Sequence, residues 1–210
     1  KGGAGGTITF CTSSSSSTAG ANILHRNNNF SNITVTGATT IAGWASSDGG
    51  TANKTYQTNT FSNITGGTGS ITIMSINFGG GAGGNGNSIQ SNTISNITGQ
   101  GAITGISVGS SATVSSVLSN TLTNLTSTGT GGTVVGIVLG SPTSHCFSNT
   151  IGTLASSGAA SVVTGISCSA GTLSNIYKNK IYDLSSSAAG GSVVGTSLSA
   201  GTTSNIYNNI

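Results

Sequence analysis

The octet SNTISNIT, residues 91–98, is nearly repeated as NNNFSNIT at 27–34, TNTFSNIT at 58–65 and SNTLTNLT at 119–126. The Asn before each apolar core recurs at Asn28, Asn59, Asn92, Asn120, Asn149, Asn179 and Asn209, in steps of 31, 33, 28, 29, 30 and 30 residues. Two residues later stand Phe30, Phe61, Ile94, Leu122, Ile151 and Ile181, and three further on Ile33, Ile64, Ile97, Leu125, Leu154 and Leu184. A unit of this size cannot bury its own apolar face, so repeats must stack to make a core.

Two further segments share the period. One reads IAGW at 41–44, IMSI at 73–76, ITGI at 103–106, VVGI at 134–137, VTGI at 163–166 and VVGT at 193–196, with Gly third in each except for Ser75. The other reads SIQSN, SVLSN, HCFSN, NIYKN and NIYNN, each running into a repeat Asn. Gly/Ser/Thr stretches such as STGTGGT (127–133), SDGGTANK (47–54) and NFGGGAGGNGNS (77–88) join them and read as turns. Three short strands per period of about 30 residues predict an all-β fold, a right-handed parallel β-helix (β-solenoid) of about seven coils. Residues 1–21 read as a partial first coil with a Gly/Ser-rich loop, since Ile8 of ITFC lies 33 before Ile41, and residues 22–210 as the repeats. Both ends fall inside a repeat, which points to further coils or to pairing with another molecule.

Like residues then stack on like, about 4.8 Å apart. The aliphatic positions form the core, and the seven Asn form a ladder of amides. Uncharged Asn tolerates that spacing, whereas Lys or Asp repeated there would repel. The composition agrees: 3% of the 210 residues are charged, against roughly 25% in ordinary domains.

No catalytic, metal or cofactor site is legible. The acids Asp48 and Asp183 lie 135 residues apart, roughly 20 Å along a β-helix. They cannot act as a glycosidic pair, and Asp183 is expected to pair loosely with Lys178 or Lys180. His25 and His145 have no partner at ligand spacing and read as exposed loop or strand-edge residues. Cys11, Cys146 and Cys168 lack C-x-x-C spacing and read as small buried residues. The glycine clusters lack the Lys and helix of a phosphate loop. A net charge of +3 without clustered cations excludes a nucleic-acid patch, and no apolar run is long enough for a transmembrane helix.

Four of the five N-x-S/T triplets, at Asn32, Asn63, Asn96 and Asn124, share one repeat position, continued by Thr153 and Asp183; the fifth is at Asn53. Repeat geometry explains the four without glycans. A second array, Thr58, Thr60, Ser91, Thr93, Ser119, Thr121, Ser148 and Thr150, should face outward. It offers a regular hydroxyl ladder to an ordered surface, ice or a carbohydrate.

The pattern SNTISNITGQGAITGISVG, and the stretch SNIYKNKIYDLSSSAAGGSVVGTSLSAGTTSNIYNNI, resembles the low-complexity β-helical repeat regions of large secreted surface proteins of Bacteroidota-type bacteria, many of them similar to type IX secretion cargo. The resemblance covers about residues 22–210 and implies an extracellular or cell-surface role with no catalytic residues. The resulting expectation is a non-catalytic fibre, filament or stalk that associates end to end. An adhesin using the Ser/Thr ladder is the alternative, and a fragment of a polysaccharide-active β-helix enzyme stands behind both.

Overall fold

A computed structural model describes residues 2–18, 20–79, 86–109, 114–169, 171–187, 189–199 and 201–210. Most of the glycine cluster at 79–87 lies outside these residues. The described chain forms 20 strands and three sheets, in which all described pairings are parallel. The first sheet contains β1 (Gly2–Ser13), β4 (Thr36–Ser46), β7 (Ile71–Ile76), β10 (Ile103–Val108), β13 (Thr133–Leu139), β16 (Val162–Cys168) and β19 (Ser192–Leu198). The second contains β2 (Asn22–Arg26), β5 (Asn53–Gln57), β8 (Ser88–Gln90), β11 (Val114–Leu118), β14 (Thr143–Phe147), β17 (Leu173–Tyr177) and β20 (Thr203–Tyr207). The third contains β3 (Asn29–Thr34), β6 (Thr60–Thr65), β9 (Thr93–Gly99), β12 (Thr121–Ser127), β15 (Thr150–Ser156) and β18 (Lys180–Ser186). The chain visits the sheets in turn, making a β-solenoid of about six turns.

The repeat columns are the register. Ile94 pairs with Leu122 and Phe61, and Ile97 with Leu125 and Ile64, all six fully buried. Ile8 pairs with Ile41, as the 33-residue step requires. In the third sheet the inward residues are three apart, although a plain strand alternates by two. The extra residue is Asn32, Asn63, Asn96, Asn124, Thr153 or Asp183, each left-handed at φ 53–59°. That conformation suits Asn best among non-glycine residues, so the backbone itself accounts for the four aligned triplets.

One register differs from the sequence reading. Ile41 pairs with Ile71 and Trp44 with Met74, so the unit is ITIM at 71–74 and Ile73 takes the Gly place, not Ser75. The motif places apolar residues three apart, and within 71–76 both Ile71/Met74 and Ile73/Ile76 satisfy that spacing, so the sequence alone does not fix the phase. At Gly43, Gly105, Gly136 and Gly165 that place has no room for a Cβ, whereas Gly195 in the last of these strands is open. A Cβ on Gly136 would lie 2.6 Å from the Gly165 carbonyl oxygen and 2.9 Å from Ile151 Cγ2.

Candidate functional site

The Asn ladder runs through the interior at the junction of the second and third sheets. Asn59, Asn92, Asn120, Asn149 and Asn179 are buried. Asn92 shows the unit: its Oδ1 accepts from the backbone N–H and Nδ2 of Asn59 at 2.9 and 3.0 Å. Its own N–H and Nδ2 both donate to Asn120 Oδ1 at 2.9 Å, and its second amide hydrogen goes to the Tyr56 carbonyl at 3.0 Å. Two donors and two lone pairs are thus all used. The chain of bonds continues from Asn28 to Asn209. A second ladder on the outer face runs the other way: Asn63 donates to Asn32, Asn96 to Asn63 and Asn124 to Asn96, at 2.9–3.1 Å.

The outward hydroxyls form two rows rather than one. Thr58, Ser91, Ser119 and Ser148 occupy a left-handed corner before each ladder Asn, at φ 52–56°. Thr60, Thr93, Thr121 and Thr150 open the third-sheet strands and pair in register with one another. The buried ladder Asn separates the two rows.

The titratable groups of the first coils gather around Asp48, a grouping that no regular spacing in the sequence marks. Asp48 follows β4 in what reads as a turn, yet it is fully buried. Its carboxylate accepts from Ser13 Oγ (3.0 Å), Ser46 Oγ (2.9 Å), Tyr56 OH (2.5 Å) and the Ser15 N–H (2.6 Å). Burial alone would raise its pKa, but these hydrogen bonds outweigh burial and hold it at about 2. Burial, reinforced by the bond to Asp48, raises the Tyr56 phenol. Lys54, 1% exposed, donates to the carbonyls of Gly50, Ala52 and Phe78 at 2.8–3.2 Å, and burial lowers its pKa.

His25 belongs here too. Its Nε2 lies 3.5 Å from Asp48 Oδ2, its ring stacks on Tyr56 at 4.7 Å and meets Trp44 edge-on at 5.0 Å. It is therefore a half-buried residue on β2, the edge strand of the second sheet as the strand-edge reading expects, but its ring packs inward beside an acidic partner instead of standing free. The register explains this, because His25 pairs with Tyr56 and Ile23 with Lys54 in inward columns. The sequence held one signal: Asp48 and Lys54 are isolated charges in a nearly uncharged chain, close to Trp44 and Tyr56.

The remaining candidates are dispersed. His145 is half-buried on the outer face of β14, an inner strand, and its Nδ1 lies 3.1 Å from the Asn175 amide. Asp183 makes no ion pair with Lys178 or Lys180; the Lys180 ammonium instead sits 4.9 Å from the Tyr182 ring centre. That ring covers Gly152 of the neighbouring coil. Cys146 and Cys168 are buried as expected, but Cys11 is only half-buried. Burial keeps the Cys146 thiol protonated, and burial followed by the charge of Asp48 does the same for Cys11. Among the described residues no cluster of three His, Cys, Asp or Glu could hold a metal. A surface cleft of about 450 Å³ is lined by Thr68, Gln100, Thr128, Thr130 and small neighbours, without a titratable side chain.

These features define an all-β, three-sheet parallel solenoid whose recurrent site is an internal amide ladder. No protein family, curated protein or solved structure matches the chain.

Proposed function

We propose that the protein is an extracellular, non-catalytic structural solenoid, a segment of a fibre, filament or surface stalk. The observation that carries this reading is the Asn ladder, which uses every amide donor and acceptor of its buried members to join successive coils along one axis. An element so specified resists bending and local opening, as a rod must. The buried acid is committed to packing among Ser, Tyr and His, and the cleft lined by Thr68, Gln100, Thr128 and Thr130 offers no acid or base. Its partners are further coils, whether of the same chain or of a second copy stacked end to end.

Electron microscopy at low ionic strength tests this. Straight rods or fibres with an axial repeat near 4.8 Å are expected, together with no turnover in a panel of polysaccharides. Compact particles without axial order, or turnover of any of these polymers, would contradict it.

The register of Thr60, Thr93, Thr121 and Thr150 favours a second reading, an adhesive or ordered-surface-binding face. Replacing Thr93 and Thr121 by Lys should then abolish adsorption to carbohydrate or ice without changing the circular dichroism. Undiminished adsorption by that variant excludes this face.

A further inference from the structure

We propose that Asp48 is an acid-sensitive latch across the seam between the coil carrying β1 and β2 and the coil carrying β4 and β5. Of the groups around its carboxylate, Ser13 Oγ, the Ser15 N–H and His25 Nε2 belong to one coil. Ser46 and Tyr56 belong to the other. The turn that carries Asp48 lies directly on the facing backbone. Ser47 N–H donates to the Ser13 carbonyl at 2.9 Å and Thr51 N–H to that of Ser17 at 3.1 Å. Gly50 has φ +77°, and a Cβ there would lie 2.3 Å from the Ser17 carbonyl oxygen. Nothing larger than Gly permits that approach.

The titratable groups facing Asp48 are His25 on β2, Tyr56 and Lys54 on β5, and Cys11 on β1. Lys54 braces the same turn through the Gly50 and Ala52 carbonyls and ties it to Phe78. A carboxylate is acceptor-only, which suits a pocket of donors. Its protonated form brings a donor of its own into that pocket. It also leaves the buried Lys54 ammonium without its nearby negative charge, a costly state.

The sign follows from the depressed pKa. The latch is fully engaged above about 3.8, the ordinary carboxyl value, and is lost as pH falls towards about 2. Opening the seam parts β4 from β1 and β5 from β2, and frees strand edges for other pairing.

Trp44, the single tryptophan, reports on the seam: its Nε1 donates to Ser13 Oγ at 3.2 Å and its ring meets Tyr56 edge-on at 5.5 Å. The experiment is acrylamide quenching of Trp44 in the intact chain from pH 7 to pH 2, with far-ultraviolet circular dichroism recorded in parallel. A several-fold rise in quenching between about pH 4 and pH 2, with the β signal of the other coils retained, is expected. Asp48→Asn should show the high quenching already at pH 7 and no transition below pH 5. His25→Gln should keep the transition, which assigns it to Asp48 even if Asp48→Asn does not fold. Quenching that stays flat to pH 2, that rises only as the whole β signal collapses, or that loses its transition in His25→Gln would overturn the latch.

Discussion

The interior of the first coils and that of the later ones solve one packing problem differently. Around β1 to β6 the core holds Phe10, Phe30, Trp44, Tyr56 and Phe61, with the polar group of Asp48, Lys54 and His25 among them. Around β10 to β16 it holds columns of near-identical aliphatics: Ile106 over Ile137 over Ile166, and Leu125 over Leu154. The later coils gain stability from repetition, each column in van der Waals contact along the axis. The first coils gain it from unrepeated contacts between different columns. A buried charge is tolerable only in the second arrangement, where it meets donors and an opposite charge instead of its own copy. Aromatic residues follow the same division. In the later coils Phe147, Tyr177 and Tyr207 form an outward stack, with ring centres 4.9 and 5.0 Å apart.

The sharpest way to break the repetitive half is at its ladder. Asn120→Leu leaves the Asn92 N–H and one Asn92 amide hydrogen without their acceptor. At about 1–3 kcal/mol per unsatisfied buried group, a loss of about 2–6 kcal/mol is expected in urea denaturation. The same change at Asn28, where the ladder is only half-buried, should cost distinctly less. Next in size is Gly136→Ala, whose new methyl meets the backbone of the following coil. Overpacking of this kind costs about 1–3 kcal/mol, readable as a lowered Tm. Ala at Gly131, where a Cβ meets nothing within 4 Å, separates steric cost from backbone strain, since its φ is +71°. The smallest effect is expected on the outer face. Thr93→Lys alone should stay within about 0.5 kcal/mol, and pairing it with Thr121→Lys should add repulsion between adjacent coils that added salt relieves.

Much of the repetitive half is legible in the sequence. The spacing of Asn28 to Asn209 gives the period and the ladder, and the two further recurring segments give the strand count, because each coil restates the same residues in the same places. Two things are lost. The phase of the segment around Ile73 is ambiguous, since Ile71/Met74 and Ile73/Ile76 are both apolar pairs three residues apart. The left-handed residue within each third-sheet strand appears in the sequence only as a three-residue spacing of the apolar positions. The unrepeated half is largely illegible. That Asp48 and Lys54 turn inward depends on contacts among Ser13, His25, Tyr56 and Phe78, which come from different strands and turns and share no spacing. Asp48 therefore reads as a turn residue and His25 as an exposed one until the coils are stacked.

An internal amide ladder, distinct from its outer counterpart, holds the coils in line. Its most direct test is hydrogen exchange of the Asn side-chain amides, followed by NMR on the labelled chain. The side-chain amides of Asn59, Asn92, Asn120, Asn149 and Asn179 should exchange far more slowly than those of Asn63, Asn96 and Asn124, which are bonded to one another but exposed. Equal exchange rates for the two sets would contradict the ladder, and with it the account of how the solenoid is held together.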